Sequence, residues 1–494
     1  MQLTNAKKNV IYAVIFQLIS LFSGFIIRKL LVDNIGIYLI GVNGVYENII
    51  SMLCLFNFGI GPASFYFLYL SFSHKDYENA AKYYQAFNKL FRYVAIAVGL
   101  IGAILIINIG WIVNTNNGNT AFLRLFFFIH LLKAISSFLI TVPRYVLQCD
   151  EKRYYSLLAD TVCLIVFALI KGYCLIKYQS FVQYLLLSIL ETFCANGYVY
   201  LCLRKEYKDK GFFVKKDIKK ETGEILAYSK HLAINNINAF INNCTDNIVL
   251  SKICGEVIVG YMSNYYLIVN AIVGLTSQIF SSLEATFIKQ FDLAGSVEEE
   301  KKIYRSEMCF SYIISSFVSI FLYALTDAFI KFYFGEEFYL SNTITLLMTI
   351  SLALTIFQYP SAHYLAAKGM NNLLVKASTL MVISNISLSV ILSLLIGEKG
   401  VLFGTIIANM ILLIGQDLVA WRHSDMYDSG IVFEKIWQAL LCGLQFILVF
   451  LILPKEHSFY SLVVTFFKCL LIWALFMLPY LKKIMGLAKE LIRK

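Results

Sequence analysis

Apolar residues run along this chain in blocks of about twenty, each closed by a short polar stretch, and the alternation repeats from end to end. A helix needs about 20 mostly apolar residues to cross the hydrocarbon core of a bilayer. That measure predicts fourteen spans, near 10–32, 42–70, 93–113, 121–143, 156–176, 181–203, 231–253, 257–283, 308–330, 340–366, 374–396, 401–421, 436–453 and 461–481. The first follows Lys7 and Lys8, as the apolar core of a signal peptide would. It is long, however, shows no obvious small-residue cleavage site and is followed at once by a second apolar run, so it is kept as a span. The expected fold is an all-α polytopic membrane protein.

Composition removes the competing classes. Of the 494 residues 59% are hydrophobic and 15% charged, where a soluble domain carries about 25% charged residues. The net charge of +11 does not point to nucleic acid, because the basic residues are sorted by topology. With the N-terminus in the cytoplasm, 31 of the 42 Lys and Arg fall in inner segments, seven in outer ones and four inside spans. That is the bias of the positive-inside rule, and it places both termini and the basic stretch 204–230 in the cytoplasm. The outer loops, such as 114–120, 177–180 and 454–460, are short. They leave no room for the outer domain that glycan polymerases and ligases usually need, so function is expected between the helices.

The chain also repeats itself. Gly36, Gly41 and Tyr46 match Gly255, Gly260 and Tyr265 at an offset of 219, and Pro143 matches Pro360 at 217. Two like-oriented six-helix lobes follow, 1–203 and 231–421, joined by the 204–230 linker, with two appended helices and a basic amphipathic tail in 422–494. The tail reads as a helix lying on anionic lipid.

In the seventh span, Thr245-Asp246-Asn247-Ile248-Val249-Leu250-Ser251, then Gly255, Val259-Gly260-Tyr261 and Ser263-Asn264-Tyr265, resemble the signature of bacterial polysaccharide flippases. Phe25-Ile26-Ile27-Arg28, Gly41-Val42-Asn43-Gly44, Phe58-Gly59-Ile60-Gly61, Phe334-Gly335-Glu336-Glu337-Phe338 and Gly404-Thr405-Ile406-Ile407 extend the likeness over nearly the whole chain. The family is the Wzx-type branch of the MOP superfamily, which also holds the MATE exporters and the lipid II flippase. The resemblance implies a V-shaped pair of six-helix lobes in the bacterial cytoplasmic membrane, with no catalysis and no cofactor. It implies translocation of an undecaprenyl-pyrophosphate-linked glycan among membrane lipids, alongside polysaccharide polymerase and glycosyltransferase machinery. One departure stands out: MATE exporters commonly carry an acid within the first helix, and here none precedes Asp33. Small-molecule export and an integral membrane polymerase or acyltransferase are the alternatives.

Such a substrate needs a cationic anchor for its diphosphate, polar groups for its sugars and a lateral opening for its tail. Ionisable groups at mid-membrane cost at least about 2.5–3.5 kcal/mol, so each requires a reason. His130, Lys133, Ser137, Thr141 and Arg144 follow helical i, i+3, i+4 spacing. Lys133, near mid-span, either lines a cavity or pairs with Glu191. Arg28 matches the family's arginine and suits phosphate or an interfacial anchor; Lys171 and Lys468 read as snorkelling outward. Asn235, Asn238, Asn242 and Thr245 form a stripe continued by Ser263, Asn270, Ser277 and Ser281. Amides and hydroxyls both donate and accept hydrogen bonds, as sugar hydroxyls require, though interhelical bonding uses them equally well. Asp246 and Glu191 are the candidate ion-coupling acids; Asp246 otherwise orients Asn247 or is purely structural, and Glu191 otherwise pairs with a lysine. There is no P-loop, HExxH or GxSxG motif, so energy is expected from an ion gradient or passive exchange.

Overall fold

The computed structural model describes the backbone of residues 5–54, 59–111, 113, 119–452 and 459–493. It describes most of their side chains, the main exceptions being 230–244, 481–493 and six positions within 282–292. The described residues form α-helices α1 (Asn5–Ile35), α2 (Ile37–Leu53), α3 (Ile60–Ser73), α4 (Tyr77–Ile107), α5 (Thr120–Ile140), α6 (Val142–Cys149), α7 (Tyr154–Tyr178), α8 (Phe181–Tyr207) and α9 (Lys219–Cys254). They continue as α10 (Glu256–Leu293), α11 (Val297–Tyr333), α12 (Asn342–Phe357), α13 (Tyr359–Ala367), α14 (Asn371–Ile396), α15 (Glu398–His423), α16 (Ser429–Leu451) and α17 (Phe459–Arg493).

Among the described residues twelve helical segments are long and apolar enough to cross a membrane. The difference from fourteen has two causes. The predicted second span is two short apolar helices, α2 and α3; Pro62 sits in the first turn of α3, where its missing N–H costs nothing and favours a new start. The predicted seventh span lies in α9, a 36-residue helix whose run of asparagines lowers its hydropathy. Elsewhere the ends follow capping chemistry: Asp76, Ser180, Ser296, Ser341 and Asp428 each accept a backbone N–H in the first turn of the next helix.

The chain folds as two compact units, 1–260 and 261–494. In the first, α1 packs on α7, α7 on α8, α4 on α3 and α5, and α9 on α2, α3 and α4. Its core joins Phe87, Phe91 and Val98 of α4 to Val146 of α6, Val199 and Leu203 of α8 and Ile225 of α9. The basic stretch after α8 is docked rather than slack. Gln85 donates to the carbonyls of Phe212 (3.3 Å) and Val214 (2.6 Å) and accepts from the Lys216 N–H (3.1 Å), while the Phe212 ring is fully buried. In the second unit α11 is central, packed by α12, α13, α16 and α17, with α14 lying closely on α15.

The two sequence repeats have the same local geometry. Gly36 (φ 89°, ψ 151°) joins α1 to α2, and Gly255 (φ 91°, ψ 163°) joins α9 to α10. Only glycine adopts this conformation without strain. The buried Tyr46 donates to the Leu123 carbonyl at the start of α5, and the buried Tyr265 accepts from the Leu340 N–H just before α12. Pro143 and Pro360 each open the short helix that follows a break, α6 after α5 and α13 after α12. Gly41 and Gly260 let two helix starts cross: a Cβ on Gly41 would strike the Glu256 carbonyl, and one on Gly260 the Ile37 carbonyl. Because backbone cannot step aside as a side chain does, Gly41→Ala is expected to destabilise the protein by about 1–3 kcal/mol. A lower unfolding midpoint in detergent, against an unchanged Gly44→Ala control, checks it.

Candidate functional site

Five helices of the first unit bring polar side chains to one region. On α5, His130 is buried, its Nδ1 3.0 Å from the Phe126 carbonyl and its Nε2 2.9 Å from Asn43 Oδ1 of α2. With Nδ1 donating to that carbonyl, a neutral ring accepts at Nε2 from the Asn43 amide turned nitrogen-inward, and a charged ring donates to its oxygen. The rings of Phe126 and Tyr46 close over it edge-on, at 4.8 and 5.8 Å. Arg28 of α1 donates to the Gly260 carbonyl at 3.2 Å, within electrostatic reach of Glu47 on α2 and Tyr184 on α8. Lys171 of α7 pairs with Glu191 of α8 and lies 5.4 Å from the centre of the Tyr184 ring.

Lys133 is different. It is exposed within unit 1, and no carboxylate among the described residues lies within ion-pair distance of it. Its charge is felt by both His130 and Lys171. At 100° per residue, Lys133 and Ser137 point about 110° and 150° away from the centre of the exposed apolar face of Leu125, Phe128, Leu132 and Leu139. A lysine thirteen residues into a spanning helix is costly against lipid, so its face suits a polar cavity. Lys171, paired with Glu191, and His130, which Glu47 also reaches, are its charged and titratable neighbours among the described residues.

The predicted stripe on the fourth span therefore divides. Lys133 and Ser137 face outward, while His130 is enclosed by aromatic rings. Beyond the break at Thr141, Arg144 is engaged by Asp160 through two 2.7 Å bonds and by Asn196 at 2.5 Å. Glu191 does meet a lysine, but it is Lys171 rather than Lys133. The outward reading of Lys171 is thus replaced by an inward one: its side chain is buried because an acid on the neighbouring helix awaits it.

The side chains of Asn235, Asn238 and Asn242 lie outside the described residues. Thr245 and Asp246 follow them on α9, half-buried, and Asn270 is exposed on α10 of the second unit. Ser277 and Ser281 bond to carbonyls of their own helix, at 3.1 and 3.2 Å. Sequence reasoning passed over Glu47, Asn43 and Tyr184. Glu47 was detectable, as a carboxylate within an apolar run; Asn43 and Tyr184 are ordinary until tertiary contacts set them beside His130 and Lys171.

The second unit holds a cavity of about 590 Å³ between α12, α15 and α16. Its wall is apolar, including Leu354, Phe357, Ile414 and Phe446, except where Asp417 meets Lys435 at 2.6 Å.

Known proteins agree with this architecture. The solved structure of the lipid II flippase MurJ in an inward closed conformation superposes with a TM-score of 0.68 at 15% identity, covering 97% of this chain and 99% of that one. An inward-facing MATE-family multidrug transporter of the MOP superfamily gives 0.60 at 14%, covering 88% and 98%. A mutant of the Vibrio cholerae MATE transporter VcmN gives 0.58 at 12%, covering 86% and 98%. At these identities the likeness is one of fold. A search of curated protein sequences finds no match. The profile of the family described as "Polysaccharide biosynthesis protein" matches residues 6–291, more than half of the chain, so this membrane protein belongs to the polysaccharide biosynthesis protein family.

Proposed function

We propose that this transporter carries an undecaprenyl-pyrophosphate-linked oligosaccharide between the leaflets of the bacterial cytoplasmic membrane, with both termini in the cytoplasm. The observation that carries the reading is Lys133: an ammonium at mid-span, without an acid partner among the described residues, beside the Lys171–Glu191 pair. A lysine is a compact point charge that follows a moving phosphate without fixed bidentate geometry. Arg28, held at the Gly260 carbonyl, supplies a second cation in the same unit. The amides and hydroxyls of α9 and α10, Asn270 and Thr245 among them, suit the sugars, and the apolar cavity of the second unit has the chemistry an isoprenoid tail requires. His130 supports the site by fixing α5 to α2 through Asn43.

The test is leaflet transfer. Purified protein in liposomes is given a fluorescent undecaprenyl-pyrophosphate oligosaccharide, and its loss from the outer leaflet is followed by a membrane-impermeant quencher. Transfer well above that of protein-free liposomes is expected. Transfer equal to protein-free liposomes, with the protein monodisperse and oriented, would refute the reading.

A further inference from the structure

Helix α11 carries a polar ridge that substrate binding does not explain. Glu307, Ser311, Ser315, Ser319, Tyr323 and Asp327 follow one another at four-residue intervals, all on the i±4 ridge of the helix. From Glu307 to Asp327 is twenty residues, about 30 Å of helix, which is the thickness of a bilayer's hydrocarbon core. The three serines are 0–1% exposed, and their hydroxyls have no hydrogen-bond partner among the described residues. Serines within helices commonly bond back to their own carbonyls; these do not.

Each end is an acid held by a buried partner. Glu307 is fully buried, with Oε1 2.5 Å from His363 Nδ1 of α13 and Oε2 without a partner among the described residues. Asp327 accepts from the Thr345 hydroxyl of α12. The titratable groups around Glu307 are His363 and Tyr359 of α13, Glu284 of α10 and Tyr304 on its own helix. Ser361 links Tyr304 to the Lys435–Asp417 pair of α16 and α15; α12 contributes no ionisable group. Around Asp327 stand Lys331 and Tyr323 on α11, Tyr265 of α10 and Tyr339 after α11.

We propose that α11 is a proton path through the second unit, running between Asp327 and the Glu307–His363 pair. Successive ridge residues are about 6 Å apart along the axis and about 40° apart around it, a gap of the order that one bridging water making two bonds of about 2.8 Å covers between the serines. A proton taken up by the Asp327 carboxylate passes along hydroxyls and waters, each accepting one proton and releasing another. It arrives at the Glu307 carboxylate, which gives a proton to His363 Nδ1 while the imidazole releases one from Nε2, so the pair resets and no net charge is left on the ridge. Acid and histidine chains are what proton relays through membranes are built from. In a chain with no P-loop, such a path connects transport to an ion gradient.

The experiment needs no glycan, so it stands or falls apart from the flippase reading. Protein in liposomes loaded with a pH-sensitive dye is given an inward-pulling potassium–valinomycin potential. Wild type is expected to acidify the lumen well above protein-free liposomes, with Glu307→Gln and Asp327→Asn each lowering that flux about tenfold or more. Glu307→Asp, which keeps the acid, should retain part of it. The triple variant Ser311→Ala, Ser315→Ala, Ser319→Ala keeps the small size that close helix packing requires, so a fall in flux there reports the hydroxyls. Wild-type flux no greater than that of protein-free liposomes overturns the proposal, as does full flux in the triple variant.

Discussion

Lys133→Ala is expected to reduce leaflet transfer of the lipid-linked oligosaccharide about tenfold or more, with Lys133→Arg keeping an intermediate rate. The magnitude comes from the charge. At an effective dielectric of about 20 a charge pair 4 Å apart is worth up to about 4 kcal/mol before desolvation, and tenfold in an equilibrium requires only about 1.4 kcal/mol. Arginine keeps the charge but spreads it over a planar fork suited to fixed geometry. Stability should barely change, because Lys133 makes no ion pair with any described residue. Alanine and wild-type proteins that transfer substrate equally fast would remove Lys133 from the mechanism.

The second large effect concerns folding. Lys171→Ala leaves Glu191 with its buried partner gone, and Glu191→Ala leaves Lys171 likewise, since the two side chains are only 10% and 20% exposed. Breaking such a pair from one side costs about 3–5 kcal/mol, whereas removing both charges is far milder. Either single variant should therefore lower folded yield and thermal midpoint sharply, and the double variant should recover most of both. Additive losses in the double variant would show that the pair is not the unit that matters.

These two lysines mark what the sequence could and could not convey. Both are ionisable groups in apolar runs, so hydropathy flags each as needing a reason. Which of them meets Glu191 is decided between helices, where neither spacing nor hydropathy has any hold; α7 and α8 turn Lys171 toward the acid, and α5 turns Lys133 away. The two glycine turns were easier to read. Gly36 and Gly255 hold the same positive φ, a constraint that writes itself into the sequence as glycine. The break inside the predicted second span was harder, because Gly59 and Pro62 are both tolerated within membrane helices and their effect depends on what packs around them. The asparagines of α9 cut against hydropathy in the opposite way, making a helix look less like a span than its neighbours.

The crossing of the glycine-marked helix starts has one more consequence. Position 41 meets position 256, and position 260 meets position 37; adding 219 to one contact turns it into the other. A surface with that property is self-complementary, as at a two-fold dimer interface, where residue i touches j and j touches i. A half-length ancestor bearing one copy of this motif would have been able to pair with itself through the same glycine contact. Joining two copies end to end would then have kept an existing handshake and relieved it of the entropy of assembly.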